Sequence, residues 1–159
     1  KLYSKKVTVY AKNDSPIKSI TYAGNTNLYD IQSKASGKLN VKMNKGYKLK
    51  SIEVGTYSYT DQKDTSKSSD TSVSVEKGYD TTLTYKKVKN NSKITLGTIP
   101  YSNYTYRYSK SSSDYSSSLN IYKYLYTDVI ASTDVRITYI DKYTKQETTT
   151  TYTIRRFAK

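Results

Sequence analysis

The chain has 159 residues and a formal net charge of +14, with no cysteine and no histidine. That excludes disulfides, thiolate metal sites, cysteine nucleophiles and histidine bases, the usual tools of most enzyme classes. Leu, Ile, Val and Phe total 29 residues, about 18% of the chain, a share that at this charge normally accompanies disorder. The twenty tyrosines raise the total to 49, so a packed core requires tyrosine in it, with the hydroxyls hydrogen-bonded or at the surface.

Val, Ile and Thr number 42, against five Ala and three Glu. These residues suit pleated strands, and apart from lysine the helix formers are scarce. The expected fold is all-β: an antiparallel β-sandwich, immunoglobulin-like in the broad sense. Twenty-three lysines against four arginines argue against specific nucleic-acid readout, which relies on the bidentate guanidinium. No apolar run of eighteen residues exists, so no transmembrane segment is expected in this chain. The start at Lys1, without methionine, fits a processed or trimmed ectodomain.

The cleanest alternation comes first. Val7, Val9 and Ala11 alternate with Thr8 and Tyr10; Ile20 and Tyr22 follow a turn cluster at Asn13-Asp14-Ser15-Pro16; Leu39, Val41 and Met43 alternate with Lys or Asn. Asn44-Lys45-Gly46 leads into a strand expected over Tyr47 to Tyr59. Its phase changes near Ser51, which predicts a bulge there. LNVKMNKGY at 39–47 is echoed by TSVSVEKGY at 71–79, and both read as hairpins turning at Lys-Gly. The polar stretch 60–71 between them reads as a surface loop. Its Asp61, Asp64 and Asp70 lack the spacing and glycine of a calcium site, so no metal is expected.

Leu83, Tyr85 and Val88 lead through Lys89-Asn90-Asn91-Ser92 to Ile94 and Leu96, again a hairpin pattern. A boundary is placed near here: residues 1–92 form a β-sandwich domain and 93–159 a second β unit packed on or continuing it, with one elongated domain as the alternative. Residues 101–126 hold eight tyrosines, alternating as Tyr104, Tyr106, Tyr108 and as Tyr122, Tyr124, Tyr126. The serine-rich link 109–118 reads as a flexible loop that makes the two strands neighbours. Val135, Ile137 and Tyr139, a turn at 141–146 and a Thr-rich return with Tyr152 and Ile154 make the strongest hairpin.

VTVYAKNDSPIKSITYAG at 7–24 and DVRITYIDKYTKQETTTTYTIRR at 134–156 resemble the first and last strands of bacterial immunoglobulin-like or cadherin-like β-sandwich repeats. Asp141 and Tyr152-Thr153-Ile154-Arg155 match the closing pattern of those modules, with Thr144-Lys145 where glycine is usual. NKGYKLKSIEV at 44–54 is similar to a phrase of repeats in Gram-positive surface proteins. The resemblance covers about a third of the chain. It implies an extracellular, wall-associated or adhesin-type module with no catalytic residues.

The residues themselves offer weak chemistry. Ser15 and Lys18 have the spacing of a lysine-activated serine, without the helix and the K-T-G element that such a site needs. Glu53 and Glu76 sit at strand edges, not in a cleft. Asn40, Glu53 and a lysine would have to share a core to form an intramolecular amide bond.

The tyrosine triplets carry the functional expectation. Facing inward, they stack across neighbouring strands as core. Facing outward, Tyr104, Tyr106 and Tyr108, or Tyr122, Tyr124 and Tyr126, make a platform for sugar rings, with Arg107 or Lys110 for hydroxyls or anions. The expected role is thus a non-catalytic structural or adhesion module that spaces or presents a binding region. The alternatives are a carbohydrate-binding module and electrostatic binding to an anionic wall polymer through the first sixty residues, where eleven lysines face three acids. The partners expected are a glycan, a host surface protein or such a polymer. No cofactor and no metal is expected.

Overall fold

The computed structural model describes residues 4–6, 9–61, 65–69, 72–113 and 116–159, with the backbone alone for strand residues 61, 65–68, 72–79, 103–105, 107, 112, 113, 116 and 117. Ten strands follow in chain order: β1 (Ile17–Tyr22), β2 (Ser36–Met43), β3 (Tyr47–Asp61), β4 (Thr65–Ser68), β5 (Ser72–Val88), β6 (Ser92–Thr95), β7 (Ser102–Ser113), β8 (Ser116–Thr127), β9 (Ile130–Asp141) and β10 (Glu147–Phe157). Among the described residues there is no helix, and so none long and apolar enough to cross a membrane. The fold is all-β and antiparallel, of sandwich type. A small sheet has the order β1-β2-β6, and a large one β10-β9-β3-β5-β7-β8 with β4 also on β5. Strands from before and after residue 92 thus share both sheets.

Alternation builds the core. Ile20 and Tyr22, Leu39 and Val41, and Ile94 and Leu96 point from the small sheet and its exit onto Ile52, Val54, Val135, Ile137, Tyr139 and Ile154 of the large one. Each such side chain withdrawn from water contributes roughly 1.5–3 kcal/mol. Tyrosine does serve in this core. Tyr22, Tyr47 and Tyr139 are buried, Tyr22 donates its hydroxyl hydrogen to the Lys34 carbonyl at 3.0 Å, and Tyr47 meets Tyr139 edge-on at 5.9 Å. Among the described residues, no tyrosine of 101–126 belongs to the buried cluster.

The expected bulge is present. Leu49 pairs with Tyr139 and Ser51 with Thr138, so Lys50 is the extra residue. The shift lets Tyr47 on one phase and Ile52 and Val54 on the other all face the core. The final hairpin also forms as expected, in unbroken register from Glu147↔Ile140 to Phe157↔Ile130.

Several expectations are overturned. Residues 9–13 belong to no strand, and Val9 and Tyr10 are exposed; Val7 and Thr8 lie outside the described residues. This segment is instead tied to the β9–β10 turn, where Tyr10 lies on Tyr143 (4.4 Å between centroids) and Lys12 pairs with Asp141. The two Lys-Gly phrases are not hairpins. Gly46, with φ of 96°, turns the chain from β2 in one sheet to β3 in the other, whereas β5 runs straight through Gly78, which pairs with Thr105. The Asn-rich turn likewise joins β5 to β6 across the layers. Asn91 adopts the left-handed φ of 62°, and the Asn90 side-chain amide bonds both the N–H and the C=O of Val41 at 2.9 Å, extending the small sheet by one side chain.

Within 60–71, β3 continues to Asp61, and β4 resumes along the same edge of β5 with the register displaced by one residue. The metal-loop positions Asp64 and Asp70 lie outside the described residues. The serine link is strand as well, because β7 and β8 remain paired out to Ser113↔Ser116. Hydroxyl pairs such as Ser111–Ser118 at 2.6 Å add side-chain bonds between these strands.

The β9–β10 turn closes around Asp141. Its carboxylate accepts Lys12 Nζ at 2.5 Å and the backbone N–H groups of Tyr143 and Thr144 at 2.8 and 3.1 Å, and Lys145 takes the φ of 66° that glycine usually supplies. The Lys12 bond first, then the two amides, lower the Asp141 pKa from 3.8 to about 2. A depressed carboxylate stabilises the fold above its unfolded pKa and loses that contribution as pH falls through the folded one. Asp141→Asn is therefore expected to be less stable than the parent at neutral pH, with the gap closing between pH 4 and pH 2. Thermal unfolding of both proteins across that range checks it, and a gap independent of pH would contradict the ion-pair account.

Candidate functional site

The core lies over β10, β9, β3 and, at Val88, the C-terminal end of β5. Beyond it the N-terminal half of β5, with β4, β7 and β8, extends as a wing that adds no described residue to this core. On β8 this leaves both faces in water: Leu119, Ile121 and Leu125 are 58–61% exposed, and Tyr122, Tyr124 and Tyr126 are 44–54% exposed.

Register decides how the tyrosines meet. Tyr104, Tyr106 and Tyr108 pair with Leu125, Lys123 and Ile121, while Tyr122, Tyr124 and Tyr126 pair with Arg107, Thr105 and Asn103. Directly paired residues share a face. Tyr106 and Tyr108, both half-buried, therefore lie on the face opposite Tyr122, Tyr124 and Tyr126 and do not stack on them across the strands. The side chains of Tyr104 and Arg107 lie outside the described residues. Lys110 is exposed on the Tyr106–Tyr108 face, opposite Leu119.

The root of the wing holds aromatic groups that the alternation did not single out. Ser102 donates its N–H to Thr81 Oγ1 at 3.1 Å and pairs with Thr127, and Thr81 pairs with Tyr59 of β3. In a flat sheet β8 would stand about 19 Å from β9, four strand spacings away. Yet Thr127 and Ile130 are three peptide steps apart, about 11 Å at most. The sheet must coil to bring them together, and β9 accordingly leaves β3 after Gly55↔Asp134. At this coil Tyr101 meets Tyr57 at 6.1 Å and Tyr126 at 5.8 Å. The Tyr126 hydroxyl donates to Asp128 at 2.8 Å, and that bond raises its pKa.

A second cluster lies on the outer face of β3, β5 and β9. The Tyr85 ring crosses Gly55, its hydroxyl donates to Asp134 at 3.0 Å, and the Arg136 guanidinium lies 3.5 Å from the ring centroid. Burial first, then the Asp134 bond, raise the Tyr85 pKa. The Asp134 carboxylate also accepts the Thr153 hydroxyl at 3.0 Å, so the cluster ties β5, β9 and β10 together.

The remaining candidates come apart. Ser15 and Lys18 are exposed at the start of a strand, with Ser15 Oγ donating to the Ile17 carbonyl. Asn40 and Glu53 alternate with buried neighbours in different sheets, so they share no core. Among the described residues no three His, Cys, Asp or Glu side chains converge as a metal site. A groove of about 420 Å³ opens between β1 and β10, where Ile20, Leu28 and Tyr152 floor it and Tyr29 stands at its rim. It is the unclosed side of the two layers. Comparison with family models, with characterised proteins and with solved structures finds no match for this chain.

Proposed function

We propose that the chain is a non-catalytic binding module of an exported, surface-associated protein, in which the two-layered core holds the wing out as a ligand platform for saccharide rings. One observation carries this reading: Tyr122, Tyr124 and Tyr126 share one face of β8 and are each 44–54% exposed. Rings spaced by two residues along a strand recur every 6.6–6.8 Å, so three of them offer a line of flat apolar faces with hydroxyl edges. The resemblance of residues 7–24 and 134–156 to bacterial surface repeats supports the setting.

The test is glycan binding by the full chain and by Tyr122→Ala/Tyr124→Ala, read on a polysaccharide panel by affinity electrophoresis. Retardation of the parent, weakened at least tenfold in the variant, or about 1.4 kcal/mol, is expected. Absence of any glycan ligand, or equal retardation of both proteins, would sink the platform.

A second reading rests on the small sheet. Lys38 pairs directly with Lys93, and Lys42 shares their outward face. Like charges opposed across strands are unfavourable without a counter-ion, and an anionic wall polymer supplies one. Binding of this kind fades with salt, whereas ring stacking does not.

A further inference from the structure

Among the described residues five stretches bound the two sheets, and four of them are protected. β1 and β6 are six and four residues long, and the edge that β3 presents beyond Gly55 continues into β4, four residues long, only after a displaced register. β10 carries Glu147, Arg155 and Arg156, and the Gln32 N–H covers its far end by bonding the Arg155 carbonyl at 2.7 Å. Short strands, charges and covering segments are the usual means of keeping an edge from pairing with another chain. β8 is long, nothing among the described residues covers it, and it has little charge. Its twelve residues include one charge, Lys123, and six large apolar or aromatic side chains in water.

The hydrogen-bonding phase of this edge follows from one contact. The Asp128 N–H bonds the Tyr101 carbonyl at 3.1 Å, in line with the Ser102↔Thr127 register. Even-numbered β8 residues therefore direct N–H and C=O toward β7, and odd-numbered ones direct theirs outward. Leu119, Ile121, Lys123, Leu125 and Thr127 offer a row of main-chain donors and acceptors, and no strand lies beside them among the described residues.

We infer that this edge pairs with the β8 of a second copy of the chain, antiparallel about a twofold axis at Tyr122. The row of main-chain groups calls for a strand. Charge and sequence select a copy. A chain of net charge +14 repels itself over most of its surface, but β8 brings one lysine per copy. Centred on Tyr122, the pairing sets Lys123 opposite Ile121, Leu125 opposite Leu119 and Tyr124 opposite Asn120, so that no lysine directly opposes its copy. The odd residues then fall at the hydrogen-bonded positions, as their outward groups require. Tyr122 meets its own copy at a non-hydrogen-bonded pair, where Cα atoms approach to about 4.5 Å.

A twofold axis normal to the sheet keeps each face on its own side. Tyr122, Tyr124 and Tyr126 of both copies then form one six-ring surface, which doubles the platform proposed above; the pairing itself does not rest on that reading. The six side chains, each about half exposed, leave on the order of 600 Å² per copy. That suits a weak, concentration-dependent dimer and falls short of an obligate one.

Because the chain has no cysteine, single substitutions report the register cleanly. Under oxidation Tyr122→Cys is expected to form a disulfide-linked dimer and Lys123→Cys to remain largely monomeric. Sedimentation equilibrium of the unaltered chain should show a reversible dimer that grows with concentration. Ile121→Pro removes only an outward N–H, so circular dichroism should match the parent while the dimer dissociation constant rises at least tenfold. A monomer at every concentration, a dimer indifferent to Ile121→Pro, or Lys123→Cys cross-linking as readily as Tyr122→Cys would overturn the inference. None of these readouts involves a glycan, so failure here leaves the platform test standing.

Discussion

Tyr22→Ala is expected to destabilise the fold by about 3–5 kcal/mol, as for other large aromatic truncations in cores, while Tyr122→Ala changes stability by no more than about 0.5 kcal/mol, as surface substitutions do. Both residues lie on strands with alternating patterns, and their surroundings separate them. Tyr22 is fully buried within the cluster formed with Leu39, Ile52 and Ile154. Its truncation opens a cavity and deprives the Lys34 carbonyl of its partner. Tyr122 is 54% exposed on the wing. Urea denaturation of the two variants measures the difference. Equal losses would mean that the wing tyrosines are core residues and that the platform does not exist.

The second large effect concerns Gly55. A Cβ placed there would lie 2.6 Å from the Tyr85 ring, which is pinned by Asp134 below its hydroxyl and Arg136 over its face. A glycine covered by a cross-strand aromatic ring is a recognised way to stabilise a bare strand position. Gly55→Val must displace the ring, with an expected loss of about 1–3 kcal/mol from overpacking. In a Tyr85→Ala background the same valine meets no ring, and its better fit to a strand should remove or reverse the penalty. The double-mutant cycle should therefore give a coupling of at least about 1 kcal/mol. Additive losses would show that the ring does not police this position.

How much could be read in advance depended on sequence distance. The hairpin of β9 and β10 was legible because its strands are adjacent in the chain, alternate strictly and face one core. The bulge at Lys50 was legible because it leaves a phase change from Tyr47 and Leu49 to Ile52 and Val54. The passages at Asn44–Gly46 and Lys89–Asn91 were misread as hairpins, because a short turn between two strands has the same local chemistry whether the strands pair or face each other across a core. Gly78 misled for a related reason. Its phrase matches that of Gly46, yet the following tyrosine stays in line because β7 lies beside it.

The functional side divided in the same way. That tyrosine must serve in the core followed from counting aliphatic residues, and the absence of His and Cys removed histidine bases and cysteine nucleophiles. Which tyrosines do so did not follow. Alternation puts Tyr106 and Tyr108 on one face of their strand and Tyr122, Tyr124 and Tyr126 on one face of theirs, but the β7–β8 register makes those faces opposite, and a slip of one residue would have made them the same.

The sequence alone determined the class of the protein, the spans of most strands, the need for tyrosine in the core and the poverty of catalytic groups, because these depend on composition and on near neighbours along the chain. Tertiary structure alone decided which sheet each strand joins, which strands carry the core, and that β8 has no strand beside its outer edge among the described residues. Those outcomes are set by pairings between residues far apart in sequence, and a chain's local pattern is the same whether or not a distant strand arrives to cover it.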